Sequence, residues 1–230
     1  MNVTLENAVK DYGSSRVLDI EKLEFKKGIY VILGSNGSGK STLINCIASL
    51  NNLSYGNIYY NGKKLDNYSR DLISILVQKP YLFNITSYEN IISGLKFKKV
   101  NKEEINLRVE KYMHYFEVDA LLNKKAHWLS GGERAKIALL RTAVLETEIT
   151  MLDEPTASMD IESSIKAENL IKQLSFGGRT VIIVTHDVFQ AKRIADYVIF
   201  MDKGKIIEMG NKENVLNNPT NKLVKQILNI

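Results

Sequence analysis

The stretch that most constrains this chain is Gly34-Ser35-Asn36-Gly37-Ser38-Gly39-Lys40-Ser41, preceded directly by the apolar run Ile29-Tyr30-Val31-Ile32-Leu33. It fits the spacing G-x-x-x-x-G-K-[ST], in which a buried strand runs into a glycine loop and the loop into a helix. Glycines let the backbone curl close around phosphate oxygens without Cβ clashes. The helix that follows carries Leu43, Ile44 and Ile47, and its start offers free N–H groups and partial positive charge to an anion. In such a cradle Lys40 bridges the β- and γ-phosphates and the Ser41 hydroxyl ligates Mg²⁺. A bare glycine-rich turn opening an ordinary helix is the competing account; strand, loop and helix in succession favour the cradle. A dinucleotide site fails on spacing, because G-x-G-x-x-G is not present.

The rest of the chain supplies the setting. Its 230 residues can bury a full core without disulfides, and the single Cys46 has no internal partner, which suits a reducing compartment. No apolar run approaches the roughly 18 residues of a membrane span. No basic-then-apolar leader pattern opens the sequence. A net charge of +5, spread along the chain, lacks the basic stripe of a nucleic-acid binder.

Alternation over Val3, Leu5 and Val9 predicts a half-buried strand, with Asn7 as a blemish. Tyr12-Gly13-Ser14-Ser15 predicts a turn, Val17 to Phe25 a second strand, and Asn57 to Tyr60 with Asn61-Gly62 a hairpin. The continuous apolar run Ile29–Leu33, and similar stretches at Ile73–Val77, Ile149–Leu152, Val181–Val184 and Tyr197–Phe200, predict strands buried on both faces. Helical stretches between several of them predict a parallel sheet with crossover helices.

Strand signals vanish between Pro80 and Leu129. Thr86-x-x-Glu89 predicts a capping box there, and Asn101 a cap for a helix whose face carries Ile105, Val109, Tyr112 and Phe116. The expected class is therefore α/β: a phosphate-binding core with a mostly parallel central sheet, an N-terminal antiparallel β-subdomain and an inserted helical subdomain. Residues 1–79 and 130–230 form the core with its β-subdomain, and 80–129 the helical insert. A last helix is expected after Pro219.

Two further motifs carry chemistry. Ile149-Thr150-Met151-Leu152-Asp153-Glu154 is a strand ending in two carboxylates, stopped by Pro155. Beside a phosphate cradle, Asp153 suits Mg²⁺, and Glu154 suits a general base polarising an attacking water. A merely solvated strand end is the plainer reading. Leu129-Ser130-Gly131-Gly132-Glu133 opens a helix through a capping-box pattern, yet the box does not explain two glycines in a first turn. They make sense if a phosphate approaches those N–H groups, and a second anion-binding helix start suggests two chains sharing one nucleotide.

With these motifs in order, the chain resembles the ATP-binding cassette (ABC) ATPases over nearly its whole length. Gly34 to Ser41, with Thr42 beside them, resembles the family P-loop, and Leu129 to Glu133, with Ser130, Gly131, Gly132 and Glu133 toward the nucleotide, its signature. Asp153 and Glu154 match its metal and base positions. Gln78 is similar to the glutamine that senses Mg²⁺ and the attacking water. Ser158-Met159-Asp160 resembles the loop that crosses the dimer interface, His186 the switch histidine at the γ-phosphate, and Tyr12 the aromatic that stacks on adenine. Glu133, Lys136 and Met159 depart from the commoner Gln, Arg and Leu, and none of these changes removes a catalytic group.

The resemblance implies Mg²⁺-dependent ATP hydrolysis, with Glu154, His186 and Gln78 catalytic and Ser41, Gln78 and Asp153 at the metal. It implies a homodimer closed head to tail around two ATP, an integral-membrane permease, an extracytoplasmic solute-binding protein, and peripheral placement on the cytoplasmic face of the membrane. Gln78-Lys79-Pro80-Tyr81-Leu82-Phe83 and the run from Thr185 to Arg193 are similar to tungstate, molybdate and phosphate importers. Tyr81, Leu82, Phe83 and Tyr88 are the expected receivers of the permease. The alternatives are an importer or exporter of another solute, a soluble cassette of DNA repair or translation, and a kinase or GTPase. The soluble cassettes typically carry coiled-coil insertions or paired cassettes, and neither feature occurs here. Kinases and GTPases have no use for the signature. His114 and His127 read as packing or surface residues, Trp128 as a packing anchor, Cys46 as core, and Lys96, Lys98 and Lys99 as a solvated basic cluster.

Overall fold

The computed structural model describes residues 1–229. Its centre is a six-stranded sheet of β3 (Gly28–Leu33), β5 (Ile73–Leu76), β6 (Ile149–Asp153), β7 (Thr180–Val184), β8 (Tyr197–Asp202) and β9 (Lys205–Asn211), in the order β5-β6-β7-β3-β8-β9. All neighbours pair in parallel except β8 and β9. The five apolar runs are these parallel strands. Continuous apolar sequence is what burial on both faces requires: Ile29, Val31 and Leu33 join one hydrophobic cluster, Tyr30 and Ile32 the other.

The second face is covered by α1 (Lys40–Ile47) and by an antiparallel sheet of β2 (Ser15–Phe25), β1 (Val3–Tyr12) and β4 (Tyr55–Tyr60), ordered β2-β1-β4. The blemish at Asn7 is a bulge. Its φ of 49° interrupts the β1–β4 register and shifts the alternation by one, so Ala8 faces the core where Val9 was expected. Gly56 lies across that bulge, where a Cβ would stand 2.0 Å from the Asn7 carbonyl oxygen. Asn61 and Gly62 adopt positive φ, as a hairpin turn requires, but the expected hairpin shrinks to one bridge between Tyr60 and Lys63. β4 finds its ladder on β1 instead. β9 was not expected from the sequence. It folds back from β8 through Lys203 and Gly204, both at positive φ.

The other face packs against the helical insert and the crossover helices. α3 (Ser87–Phe97) opens with both halves of the Thr86–Glu89 capping box, and α4 (Lys102–Met113) with Asn101 as cap. Ile105, Val109, Tyr112 and Phe116 are all buried, although Phe116 lies just past the helix end. Between Pro80 and Leu129 the only strand-like pairing is one bridge, Thr86 to Lys125. α5 (Gly131–Ala143) packs on α3, followed by α6 (Ile161–Ser175), α7 (Val188–Ile194) and, past Pro219, α9 (Lys222–Leu228); α2 (Asn67–Asp71) and α8 (Lys212–Asn217) are short. Among the described residues no helix is long and apolar enough to cross a membrane.

Candidate nucleotide site

Three loops leave the carboxyl ends of β3, β7 and β6, which lie side by side, the crevice where open α/β sheets bind ligands. The loop after β3 is held open by glycine geometry. Gly34 has φ 151°, and a Cβ there would sit 2.2 Å from the Met201 carbonyl oxygen. Gly39 at φ 100° precedes α1 with no side-chain cap, leaving that helix's first N–H groups to the loop interior. Lys40 is buried and donates from Nζ to the carbonyls of Gly34 (2.8 Å) and Ser35 (2.9 Å). Burial pulls its ammonium below the usual lysine range, and the nearby Glu154 and Asp153 carboxylates oppose the drop.

Residues Asn36 to Thr42, Gln78, Asp153 and Glu154 line a cavity of about 350 Å³ with Val17 and Val184. Ser35 and Gly34 form the loop beneath. Asp153 ends β6 almost fully buried, and its Oδ1 has no hydrogen-bond partner. Burial holds its carboxyl above the ordinary range, reinforced by Glu154 and opposed by Ser41 and Lys40. A buried, unpaired carboxylate oxygen beside a serine hydroxyl is the donor set a hard divalent cation takes. Among the described residues no group of three or more His, Cys, Asp or Glu side chains could hold a metal ion.

Glu154 adopts φ 50°, a strained conformation for a residue with a side chain. Its N–H donates to Val184 O at 2.8 Å, and its Oε1 lies 2.9 Å from His186 Nδ1. The carboxylate is largely covered while the imidazole is exposed. The adjacent pairing of β6 and β7 therefore brings together two residues far apart in sequence. Gln78, just after β5, is exposed at the rim of the cavity.

Tyr12 stands outside that lining, half-exposed at the end of β1. Asn51 Nδ2 donates to its hydroxyl at 3.2 Å, and Lys10 Nζ lies 4.8 Å from its ring centroid. Val17 lines the cavity and was not anticipated. A Cβ on Gly39 or Gly204 would stand 2.7 or 2.5 Å from the Val17 carbonyl oxygen, an approach across the chain with no local sequence signal.

The Ser130 start of α5 forms the full capping box: Ser130 N donates to Glu133 Oε2 at 2.7 Å, and Glu133 N to Ser130 Oγ at 3.2 Å. The Ser130 N–H keeps the Glu133 carboxyl below its usual range. Gly131 faces open space, whereas a Cβ on Gly132 would stand 3.1 Å from the Ser158 carbonyl oxygen. Gly132 thus has a packing reason within the chain as well. Gly131 and Arg134 line a second cavity with Gln78, Asp153, Glu154 and Ser158, from which the Gly34–Ser41 loop is absent. The two glycine-bearing helix starts therefore do not line a common cavity in one chain. Asp160 caps α6, accepting from Ser163 N at 2.7 Å, which lowers its carboxyl.

Several surface expectations change. Trp128 is 73% exposed beside His127 rather than a packing anchor. It sits in a short 3₁₀ turn whose only buried residue is Ala126, so its ring has no core to enter. Leu82 is buried and unavailable to a partner, while Tyr81 and Phe83 are exposed. Asn90, buried and not anticipated, fixes that loop by accepting from Phe83 N and donating to the carbonyls of Phe83 and Thr86. His114 is exposed against Tyr115. Cys46 is core, its thiol pushed up to about 11 by burial.

The family model described as ABC transporter matches residues 20–157. The chain belongs to the ABC transporter family. It is an ATP-binding subunit of that family, and such subunits are ATPases. It is 38% identical over 210 residues, 90% of its length and 98% of the relative's, to the tungstate uptake system ATP-binding protein TupC of Peptoclostridium acidaminophilum. It is 30% identical to the Fe(3+) ions import ATP-binding protein FbpC of Fusobacterium nucleatum, aligning over 97% of its own length and 62% of that relative's. In structure it is similar to the dimeric bacterial ABC transporter cassette MJ0796, with TM-score 0.83 and 28% identity over 91% of this chain and 98% of that one. The same cassette in a dimeric post-hydrolysis state bound to ADP and Pi gives TM-score 0.81 at 29% identity, over 91% and 98% of the two chains.

Proposed function

We propose that this ABC subunit binds ATP with Mg²⁺ in the Gly34–Ser41 cradle and hydrolyses it to energise import of an oxyanion, with tungstate the first candidate. The observation that carries the site assignment is the buried, unpartnered Asp153 Oδ1 facing the cavity that Lys40 and Ser41 line. Ser41 and Asp153, with Gln78 at the rim, would hold the cation, which supplies charge neutralisation on the phosphates. Lys40 exchanges its loop carbonyls for the β- and γ-phosphates. Tyr12 gives the adenine a ring face.

Glu154 accepts the proton of a water whose oxygen attacks the γ-phosphorus. The bond from that phosphorus to the β–γ bridging oxygen breaks, and its electron pair leaves with ADP. His186, oriented through Nδ1 by Glu154, presents its other nitrogen to the γ-phosphate oxygens. Ser130, Gly131 and Gly132 reach the γ-phosphate of a second copy; within one chain Gly131 lines a neighbouring cavity to which the Gly34–Ser41 loop does not contribute. Two ATP thus close a head-to-tail homodimer, with Asp160 and its loop at the seam.

A permease would dock on Tyr81, Phe83 and Tyr88 at the cytoplasmic face of the membrane, and an extracytoplasmic binding protein would deliver the solute. Similarity to TupC over almost the whole of both chains supports tungstate. Glu154→Gln tests the site: it binds ATP, releases no phosphate and accumulates as an ATP-bound dimer on a sizing column. Hydrolysis at the wild-type rate by that variant would refute the assignment. In the intact complex, stimulation of the ATPase by tungstate above molybdate, phosphate and sulfate supports the solute; stimulation by none of them removes it.

A further inference from the structure

The loops that leave β6 and β7 are joined twice besides the contact between Glu154 and His186. On the strand side, Glu154 N donates to Val184 O. Beyond the catalytic pair, a second tie runs through the buried side chain of Gln190 on α7, four residues after His186. Its Nε2 donates to the hydroxyl of Thr156, two residues after Glu154, at 3.0 Å, and approaches Glu168 Oε1 at 3.5 Å. Glu168, buried on α6, takes both forks of Arg193 at 2.7 and 2.8 Å. The carboxylate demands a donor from Gln190, which settles the amide's orientation. As a result Gln190 Oε1 is buried with no donor at all. An orphaned acceptor in a core destabilises the chain, and a methionine or leucine would fill the same space without that cost.

We propose that Gln190 is a positioning residue for hydrolysis. Through Thr156 it fixes the loop carrying Glu154 to the helix that begins two residues after His186, so the 2.9 Å contact between that carboxylate and that imidazole is braced on both sides. Glu168 and Arg193 hold the seven-residue α7 against α6, so the brace is anchored outside the loops it joins. The carbonyl of Thr156 in turn accepts from Met159 N at 3.0 Å, between Ser158 and Asp160. Gln190 thereby couples the switch histidine to the segment read above as the dimer seam.

The inference rests on the assignment of Glu154 and His186 made above, so the test runs three variants of the full chain beside Glu154→Gln. Gln190→Met keeps length and volume and deletes both the donor and the orphaned acceptor. It is expected to melt at or above the wild-type temperature, to lower kcat five- to tenfold and to leave KM for ATP within twofold. Thr156→Val is expected to lower kcat equally, and the double variant to lower it no further. A purely structural role would instead lower the melting temperature and leave kcat of the folded fraction unchanged. If Gln190→Met folds poorly, Thr156→Val alone decides, since it removes only the hydroxyl. Wild-type kcat in folded Thr156→Val, or additive losses in the double variant, overturn the proposal while leaving an inactive Glu154→Gln, and the site assignment, intact. An active Glu154→Gln overturns both.

Discussion

Lys40 Nζ donates to the carbonyl oxygen of Gly34, so the lysine of the cradle is folded back on its own loop. The loop supplies the partners that phosphate oxygens would otherwise provide, and the ammonium stays satisfied while buried. Lys40→Ala is expected to leave the fold intact by circular dichroism and to lower phosphate release by roughly 10²-fold or more, the scale for removing one transition-state charge contact. Wild-type release would disprove the phosphate role.

Asp153 gives a pH prediction. Its carboxyl is held above the ordinary 3.8 in the folded chain, so the folded state binds that proton more tightly than the unfolded one. Stability from this group is present at low pH and is lost as pH rises through the raised folded value. At neutral pH the buried charge is a burden that Asp153→Asn removes. The nucleotide-free variant is expected to melt roughly 2–4 °C higher at pH 7, or about 1 kcal/mol more stable. That advantage shrinks as the pH is lowered toward 4, and Mg²⁺-stimulated turnover is lost. A melting curve unchanged at both pH values would contradict the account.

Glu154 occupies the left-handed region at φ 50°, where a side chain costs about 1–2 kcal/mol and glycine costs little. Glu154→Gly is therefore expected to raise stability by roughly 1 kcal/mol in denaturant titration while abolishing phosphate release. A variant both less stable and inactive would point to a structural carboxylate.

Ser130→Arg separates the two helix starts. The change removes one half of a capping box, at about 1 kcal/mol, and leaves the Gly34–Ser41 cavity untouched. Monomeric nucleotide binding by fluorescence titration should stay within twofold, and ATP-driven dimerisation on a sizing column should disappear. Dimerisation at wild-type nucleotide concentrations would exclude the shared site.

What could be read in the sequence was whatever is encoded locally. The glycine loop, the five parallel strands and the capping boxes at Thr86 and Ser130 each occupy a few consecutive residues whose chemistry has one good solution, although β5, at the sheet edge, is only half-buried at Ile73 and Ile75. The phase of β1 was misjudged because the bulge at Asn7 is shared with Gly56 on another strand. β9 escaped because Lys205–Asn211 is a half-exposed edge strand without a continuous apolar run. Trp128 was misplaced because residue type argues for burial, whereas exposure is decided by the short turn that carries it. Within the site, Val17 and the tie from Gln190 to Thr156 and Glu168 act across long stretches of sequence, where only the folded chain brings partners together.

The order β6-β7-β3 has one last consequence. The strands behind the proposed triphosphate site, Gly28–Leu33, Ile149–Asp153 and Thr180–Val184, are far apart in sequence yet share one continuous ladder of amides. Occupancy should therefore slow deuterium uptake in all three strands in concert, so the nucleotide acts as a rivet for the sheet's middle as well as fuel for the machine.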